Sequence, residues 1–142
     1  MNAKQRMAAF DKLNRKMRRF FDSYFSELAL TGIQAMALHY IIIESAHHDV
    51  FSKDLEAYLD IKGASVTSLL NTLEHNGYLT RECLAEDARF KRLALTDKTR
   101  AIASDLQEMM DRYIDNIFLG VDEKDLTAFD GVIQQMTHNV SQ

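Results

Sequence analysis

Proline is absent from the 142 residues, and cysteine occurs once, at Cys83. A single cysteine forbids an intrachain disulfide and a cysteine-built zinc site, in keeping with a reducing compartment. With no proline, Gly/Ser linker, low-complexity tract or internal repeat, nothing marks a division into independent domains. No stretch approaches the roughly 18 apolar residues of a membrane span. The opening residues Met1, Asn2, Ala3, Lys4, Gln5 and Arg6 lead into a polar helix rather than a signal-peptide core. The expectation is a cytoplasmic protein that meets no membrane. Enzyme signatures are missing too. There is no Gly-rich phosphate loop, no Gly-x-Ser-x-Gly and no His-Glu-x-x-His, so no catalytic residue is assigned. His39, His47, His48, His75 and His138 include no His-x3-His pair, and neither a metal site nor a cofactor is expected.

What the chain does have is 46% hydrophobic and 27% charged residues, which suits one globular domain or one protomer of a small oligomer. Its formal net charge of −4 argues against a nucleic-acid partner only while the placement of charge is ignored. Met1 to Arg19 holds seven basic residues and one acid, a net +6, whereas Asp97 to Gln142 holds four bases and nine acids, a net −5. A basic first helix and acidic last helices are expected to attract. The middle is also acidic, yet it carries Lys62 and a group made of Arg81, Arg89, Lys91 and Arg92. Local sign, not the total, is what a DNA backbone meets.

Apolar steps of three and four at Phe10, Leu13, Met17, Phe20 or Phe21, Tyr24 and Leu28 predict a first helix of about five turns or more. Thr31 and Gly32 break it. A second helix takes Ile33, Met36, Ala37, Tyr40 and Ile41, and a short third starts at Ser52, read as its N-cap, and runs through Leu55 and Leu59. The fourth begins near Gly63, puts Val66, Leu69, Leu70 and Leu73 on one face, and ends at Asn76-Gly77. Tyr78 to Leu84 and Phe90 to Leu95 read as two strands around a hairpin tip. Thr96 is the expected N-cap of a long fifth helix with Ile102, Leu106, Met109, Tyr113 and Ile117 as its stripe, stopped by Gly120. Asp122 opens a sixth, with Leu126, Phe129, Val132 or Ile133, and Met136.

Short helices followed by a two-stranded hairpin define a mainly α (α+β) fold, the winged helix-turn-helix, in which one helix enters the major groove and the hairpin reaches the neighbouring backbone. A first helix of about 25 residues would be roughly 38 Å long. A small domain cannot bury such a stripe alone, so the outer helices are expected to pack across a two-fold axis. On this reading residues 1–142 form a single protomer, with residues 32–96 the DNA-binding lobe and residues 1–30 and 97–142 the dimerisation helices.

The stretches Leu30-Thr31-x-x-Gln34, Leu55-x-x-x-Leu59, Val66-Thr67-x-Leu69-Leu70-x-x-Leu73-Glu74-x-x-Gly77-Tyr78-Leu79-x-Arg81 and Asp87-x-Arg89-x-x-x-Leu93-x-Leu95-Thr96 then carry a resemblance. Over nearly its full length the chain resembles the MarR family of winged-helix regulators. The resemblance implies a homodimeric transcriptional regulator, often a repressor released by a small phenolic or anionic ligand. Two departures stand out: Thr99 replaces the family's usual glycine, and the reading helix lacks the common Arg or Lys.

The residues opposite the apolar side of the fourth helix, Ser65, Thr67, Ser68, Asn71 and Thr72, with Lys62 just before, are the expected DNA-reading face. Short hydroxyls approach base edges closely, and Asn suits adenine. Arg89 at the hairpin tip has the chemistry for phosphate or a narrow minor groove, with Lys91 and Arg92 behind it, one of which must point the other way on a strand. In the resembled family Asp87 orients the wing by ion pairing, with Arg81 or Arg89 as its partner. The redox-sensing branch carries its cysteine on the first helix, and Cys83 does not match it. Phe21, Tyr24, Phe25, His39, Tyr40 and Tyr113 are candidates to line an effector cavity, Phe21, Tyr24, His39 and Tyr113 foremost. The expected partners are double-stranded DNA, a second copy of the chain and a small aromatic or anionic effector. The competing reading is a winged-helix protein-interaction module without sequence-specific DNA binding.

Overall fold

The structure, a computed structural model, describes every residue except Ala85 and Glu86, and for Asp87, Ala88 and Arg89 it describes the backbone alone. The elements run α1 (Ala3–Tyr24), a 3-10 turn (Ser26–Leu28), α2 (Gly32–Glu44), α3 (Ser52–Leu59), α4 (Gly63–His75), β1 (Leu79–Leu84), β2 (Asp87–Leu95), α5 (Asp97–Phe118) and α6 (Glu123–Val140). Among the described residues no helix is long and apolar enough to cross a membrane. The chain forms two compact units, Met1–Met110 and Asp111–Gln142.

The first unit is organised around α2, the most apolar helix, which buries Ala35, Ala37, Leu38 and Ile41. Leu55 from α3, Val66, Leu70 and Leu73 from α4, Leu79 and Leu93 from the hairpin and Leu106 from α5 complete the core. Thr31 starts α2 with a reciprocal cap: its hydroxyl accepts the Gln34 N–H while the Gln34 amide oxygen accepts the Thr31 N–H. Gly32 follows because α1 crosses close by. A Cβ there would stand 2.3 Å from the Phe21 ring, and the Gly32 N–H instead donates to the Asp22 carboxylate at 2.8 Å.

The helix predicted to continue to Leu28 ends at Tyr24. Phe25 and Leu30 are both buried, so the chain must fold back between them. It does so through the 3-10 turn and Ala29 in the left-handed region (φ 56°), with the Leu30 N–H donating to the Phe25 carbonyl at 3.4 Å. Ser52 is not the N-cap of α3 but its first helical residue. Phe51 takes the cap position, and its N–H is satisfied by the Asp54 carboxylate at 2.8 Å.

β1 and β2 are antiparallel, with Leu79 opposite Leu95, Arg81 opposite Leu93 and Cys83 opposite Lys91. An irregularity between Cys83 and Leu84 brings Leu84 opposite Asp87, so the second strand begins earlier than the expected Phe90. The Leu93 N–H also donates to the Val50 carbonyl at 2.8 Å, tying the hairpin to the segment between α2 and α3.

At the junction of α4, β1 and α5, Gly77 adopts φ 82°, a conformation that a side chain would strain. Three side chains from the start of α5 close this turn. The Thr96 hydroxyl donates to the Gly77 carbonyl at 2.6 Å, the Lys98 ammonium donates to the Asn76 carbonyl at 2.7 Å, and the buried Thr99 hydroxyl donates to the Tyr78 carbonyl at 2.5 Å. Thr99 thus has a bonding role in place of the family's glycine. Thr99→Val keeps the shape and removes the donor, so it is expected to lower unfolding free energy by about 1 kcal/mol. Urea unfolding checks this as a lower midpoint at unchanged slope.

In the second unit the end of α5 is stopped at Gly120 (φ 79°), and Asp122, in extended conformation, precedes α6. None of its residues is buried: Ile114, Phe118 and Leu119 are exposed, as are Phe129, Val132, Ile133 and Met136 on α6. In the first unit α1 likewise buries no residue and exposes Met7, Phe10, Leu13 and Phe20.

Candidate nucleic-acid interface

Between α3 and α4 the chain turns through Asp60 in the left-handed region (φ 51°). Lys62 then holds the N-cap position of α4 in extended conformation, without a side-chain cap bond. Lys62 thus stands at the positive end of α4, where the Glu56 carboxylate also lies close to Gly63. Along α4, Val66, Leu70 and Leu73 point into the core and Leu69 is half-buried, while Ser65, Thr67, Ser68, Asn71 and Thr72 are exposed. The structure brings all five and Lys62 onto one helix, on its outward side.

Two of these side chains are already engaged. The Thr72 hydroxyl donates to the Ser68 carbonyl one turn back at 3.1 Å, which leaves its methyl and lone pairs for an outside partner. Asn71 is held from the hairpin: the Arg81 guanidinium donates to its amide oxygen at 2.5 Å and to the Glu74 carboxylate at 3.2 Å. The second Glu74 oxygen accepts the Arg81 backbone N–H at 3.0 Å. These bonds from Arg81, ahead of the cost of partial burial, hold the Glu74 carboxyl below its ordinary range, so the clamp is intact at neutral pH and loosens only as acid titrates Glu74.

Strand alternation sorts the hairpin's cations. Arg81 and Lys91 lie on the same face as buried Leu93, toward α4, and Lys91 is among the charges that stabilise the Glu74 carboxylate. Arg92 lies on the opposite face, where it bonds Glu82 at 2.5 Å and Asp49 at 3.4 Å. Asp87 and Arg89, the two wing residues singled out in the sequence, have side chains outside the described residues. The pairing of Arg81 with Asn71 and Glu74 was missed in the sequence. Its only trace there is the spacing Glu74-x-x-Gly77-Tyr78-Leu79-x-Arg81, which sets a carboxylate and a cation on either side of a turn.

Of the residues expected to line an effector cavity, Phe25 is fully buried and part of the core. Phe21 packs edge-on against it at 5.2 Å between ring centres, and Tyr24 does so at 5.6 Å. His39 is half-buried on α2, beside Tyr40, whose ring stacks on Tyr58 at 4.4 Å. Tyr113 belongs to the second unit, where burial raises the pKa of its phenol. A cleft of about 340 Å³ lies on the Arg92 side of the hairpin, bordered by His48, Asp49, Glu82, Arg92 and Arg100, and none of Phe21, Tyr24, His39 or Tyr113 lines it. His48 there bonds the Asp49 carbonyl and the Glu44 carboxylate, which raise its pKa.

A third core helix presenting a polar face beside an antiparallel hairpin makes this a winged helix-turn-helix protein. Residues 30–89 match the model of the MarR family. The whole fold agrees with solved structures. The transcription regulator MarR from Oenococcus oeni is 24% identical over 92% of this chain and 97% of its own, with a TM-score of 0.78. MepR of S. aureus, solved in complex with DNA, is 18% identical over 93% and 94%, with a TM-score of 0.82. A MarR family transcriptional regulator from Listeria monocytogenes, complexed with 26mer DNA, is 16% identical over 94% and 87%, with a TM-score of 0.76. Residues 30–89 thus resemble the MarR family, and the chain as a whole has the fold of the solved MarR structures.

Proposed function

We propose that the protein is a homodimeric DNA-binding transcriptional regulator, a repressor that reads a pseudo-palindromic operator in the cytoplasm. The observation that carries the reading is the outward face of α4, where Ser65, Thr67, Ser68, Asn71 and Thr72 follow Lys62 beside a hairpin that carries Lys91. Lys62 and Lys91 meet phosphate, and so does Arg89 with Asp87 orienting the wing. The α4 side chains meet base edges in the major groove. Residues 32–96 form the reading lobe, and residues 1–30 and 97–142 supply the contacts of the dimer. Support comes from the MepR and Listeria relatives, both solved with DNA. The exposed apolar residues of α1 and α6 are the surfaces a second copy covers.

Binding of the purified protein to a random DNA pool, measured by fluorescence anisotropy over a range of salt, tests this. The expected result is a steep loss of affinity with salt and enrichment of paired half-sites about one helical turn apart. One observation favours the protein-interaction reading: α4 contains no Lys or Arg, and the chain carries a net charge of −4. Failure of the pool to bind at low salt would leave that reading standing.

The proposal extends to a small aromatic or anionic effector contacted by Phe21, Tyr24 and His39. Such a ligand lowers DNA affinity by its differential affinity for two dimer spacings and by no more. Calorimetry with phenols and aromatic carboxylates, with and without DNA, checks the reciprocity that linkage requires; a flat panel refutes the effector.

A further inference from the structure

Asn71 is the one amide on the exposed face of α4, able to present a donor and an acceptor side by side to an adenine edge, and its oxygen is already held. Arg81 reaches across from β1 and donates to the Asn71 amide oxygen at 2.5 Å. A guanidinium has five N–H donors and no acceptor, so the amide has only one chemically sensible orientation: oxygen toward Arg81, NH2 away from it. The charged donor makes this bond stronger than one between neutral groups. Arg81 is itself fixed twice by Glu74, through its guanidinium at 3.2 Å and through its backbone N–H at 3.0 Å. Its side chain is about one-quarter exposed and that of Glu74 about 40%, so the clamp is partly shielded from water while Asn71 is exposed.

An asparagine that reads adenine needs its oxygen and its NH2 side by side on the base edge, accepting from N6 and donating to N7. The clamp takes one of the two lone pairs of the Asn71 oxygen and turns that oxygen toward β1, so the NH2 group is the part left to face outward. Among the four base edges in the major groove, guanine offers two adjacent acceptors, N7 and O6, and no donor, which is what a donor-only side chain matches best. We infer that Arg81 is a positioning residue for sequence recognition: by holding the oxygen of Asn71 it makes that side chain a donor-only reader and shifts its base preference from adenine to guanine. The inference rests on α4 being the DNA-reading helix and adds what one of its residues reads and why.

The test is selection of binding sites from a random duplex pool by the full-length protein and three variants, each first checked for an unchanged thermal melting profile. With the wild type, one position in each half-site shows guanine favoured over adenine by roughly tenfold or more, the worth of one good base contact. Asn71→Ala removes the donors without adding a charge, and guanine preference at that position alone disappears. Arg81→Met releases the amide, and the same position turns toward adenine while the others keep their bases. Arg81→Lys guards against a loss of folding in the Met variant. Its compact ammonium keeps the ion pair with Glu74 but lacks the fork that also spans to Asn71, so it produces the same turn toward adenine. A role in folding alone would weaken all positions together and would not change the identity of one base. Adenine at the Asn71-dependent position in the wild type, or guanine persisting there in both Arg81 variants, overturns the inference while DNA reading stands. A pool that shows no selection with the wild type overturns both, and the two failures are thereby told apart.

Discussion

Ile133→Asp is expected to yield a folded monomer that no longer retains operator DNA. The helix carrying it, α6, buries none of its residues, and Phe129, Val132, Ile133 and Met136 recur at steps of three and four along it. Monomeric proteins seldom leave such a stripe in water. In a two-fold dimer the same patch meets itself or its symmetry mate, so one substitution places two carboxylates in the interface. Each buried, unpaired carboxylate costs several kcal/mol. Several kcal/mol of lost association, counted twice, raises the dimer dissociation constant by about a thousandfold or more. Ile133 is about 43% exposed in the protomer, so the fold of the protomer itself has little to lose. Light scattering at micromolar concentration is expected to show dimer for the wild type and monomer for the variant. Anisotropy is expected to show affinity falling to the level of one half-site. A variant that stays dimeric, or a monomer that binds as tightly as wild type, removes α6 from the account.

The helices and their faces could be read from apolar spacing, because a core is one-sided and the 3.6-residue period writes it into each element. Val66, Leu70 and Leu73 were separable in this way from Ser65, Thr67 and Asn71, and the stop at Gly77 announced itself by residue type. Three features could not be read, and each depends on contacts between elements. The end of α1 is set by the burial of both Phe25 and Leu30, which forces Ala29 into a left-handed conformation for which alanine gives no local signal. The cap of α3 comes from Asp54 bonding the Phe51 N–H, whereas Ser52 has the more typical capping side chain. The clamp on Asn71 joins residues ten apart, and it depends on a hairpin register that puts Arg81 and Leu93 on the face turned toward α4. Periodicity describes one element at a time and is silent on such pairings. In the candidate interface it therefore identifies which residues point outward, and leaves open which of their polar atoms are already taken.

Thr67→Glu is expected to abolish DNA binding of every sequence while leaving the fold and the dimer intact. Thr67 is exposed on the outward face of α4, next in sequence to the buried Val66, and glutamate is a better helix former than threonine, so the substitution costs no stability. In the major groove, however, its carboxylate would lie between two phosphate backbones and against base edges rich in acceptors. Like charges brought together at an interface cost several kcal/mol, or about a thousandfold in affinity. The loss falls on specific and random DNA alike because backbone charge does not depend on sequence. Ser65→Ala is the contrasting change: it removes a hydroxyl and no charge, so it is expected to cost about 1–3 kcal/mol on the preferred site and little on random DNA. Anisotropy titrations at several salt concentrations separate the two, since the Thr67 variant remains weak at every salt while the Ser65 variant keeps the wild-type slope. If Thr67→Glu binds DNA within a few fold of wild type, α4 does not enter the groove. The polar face of that helix would then be a surface for a protein partner.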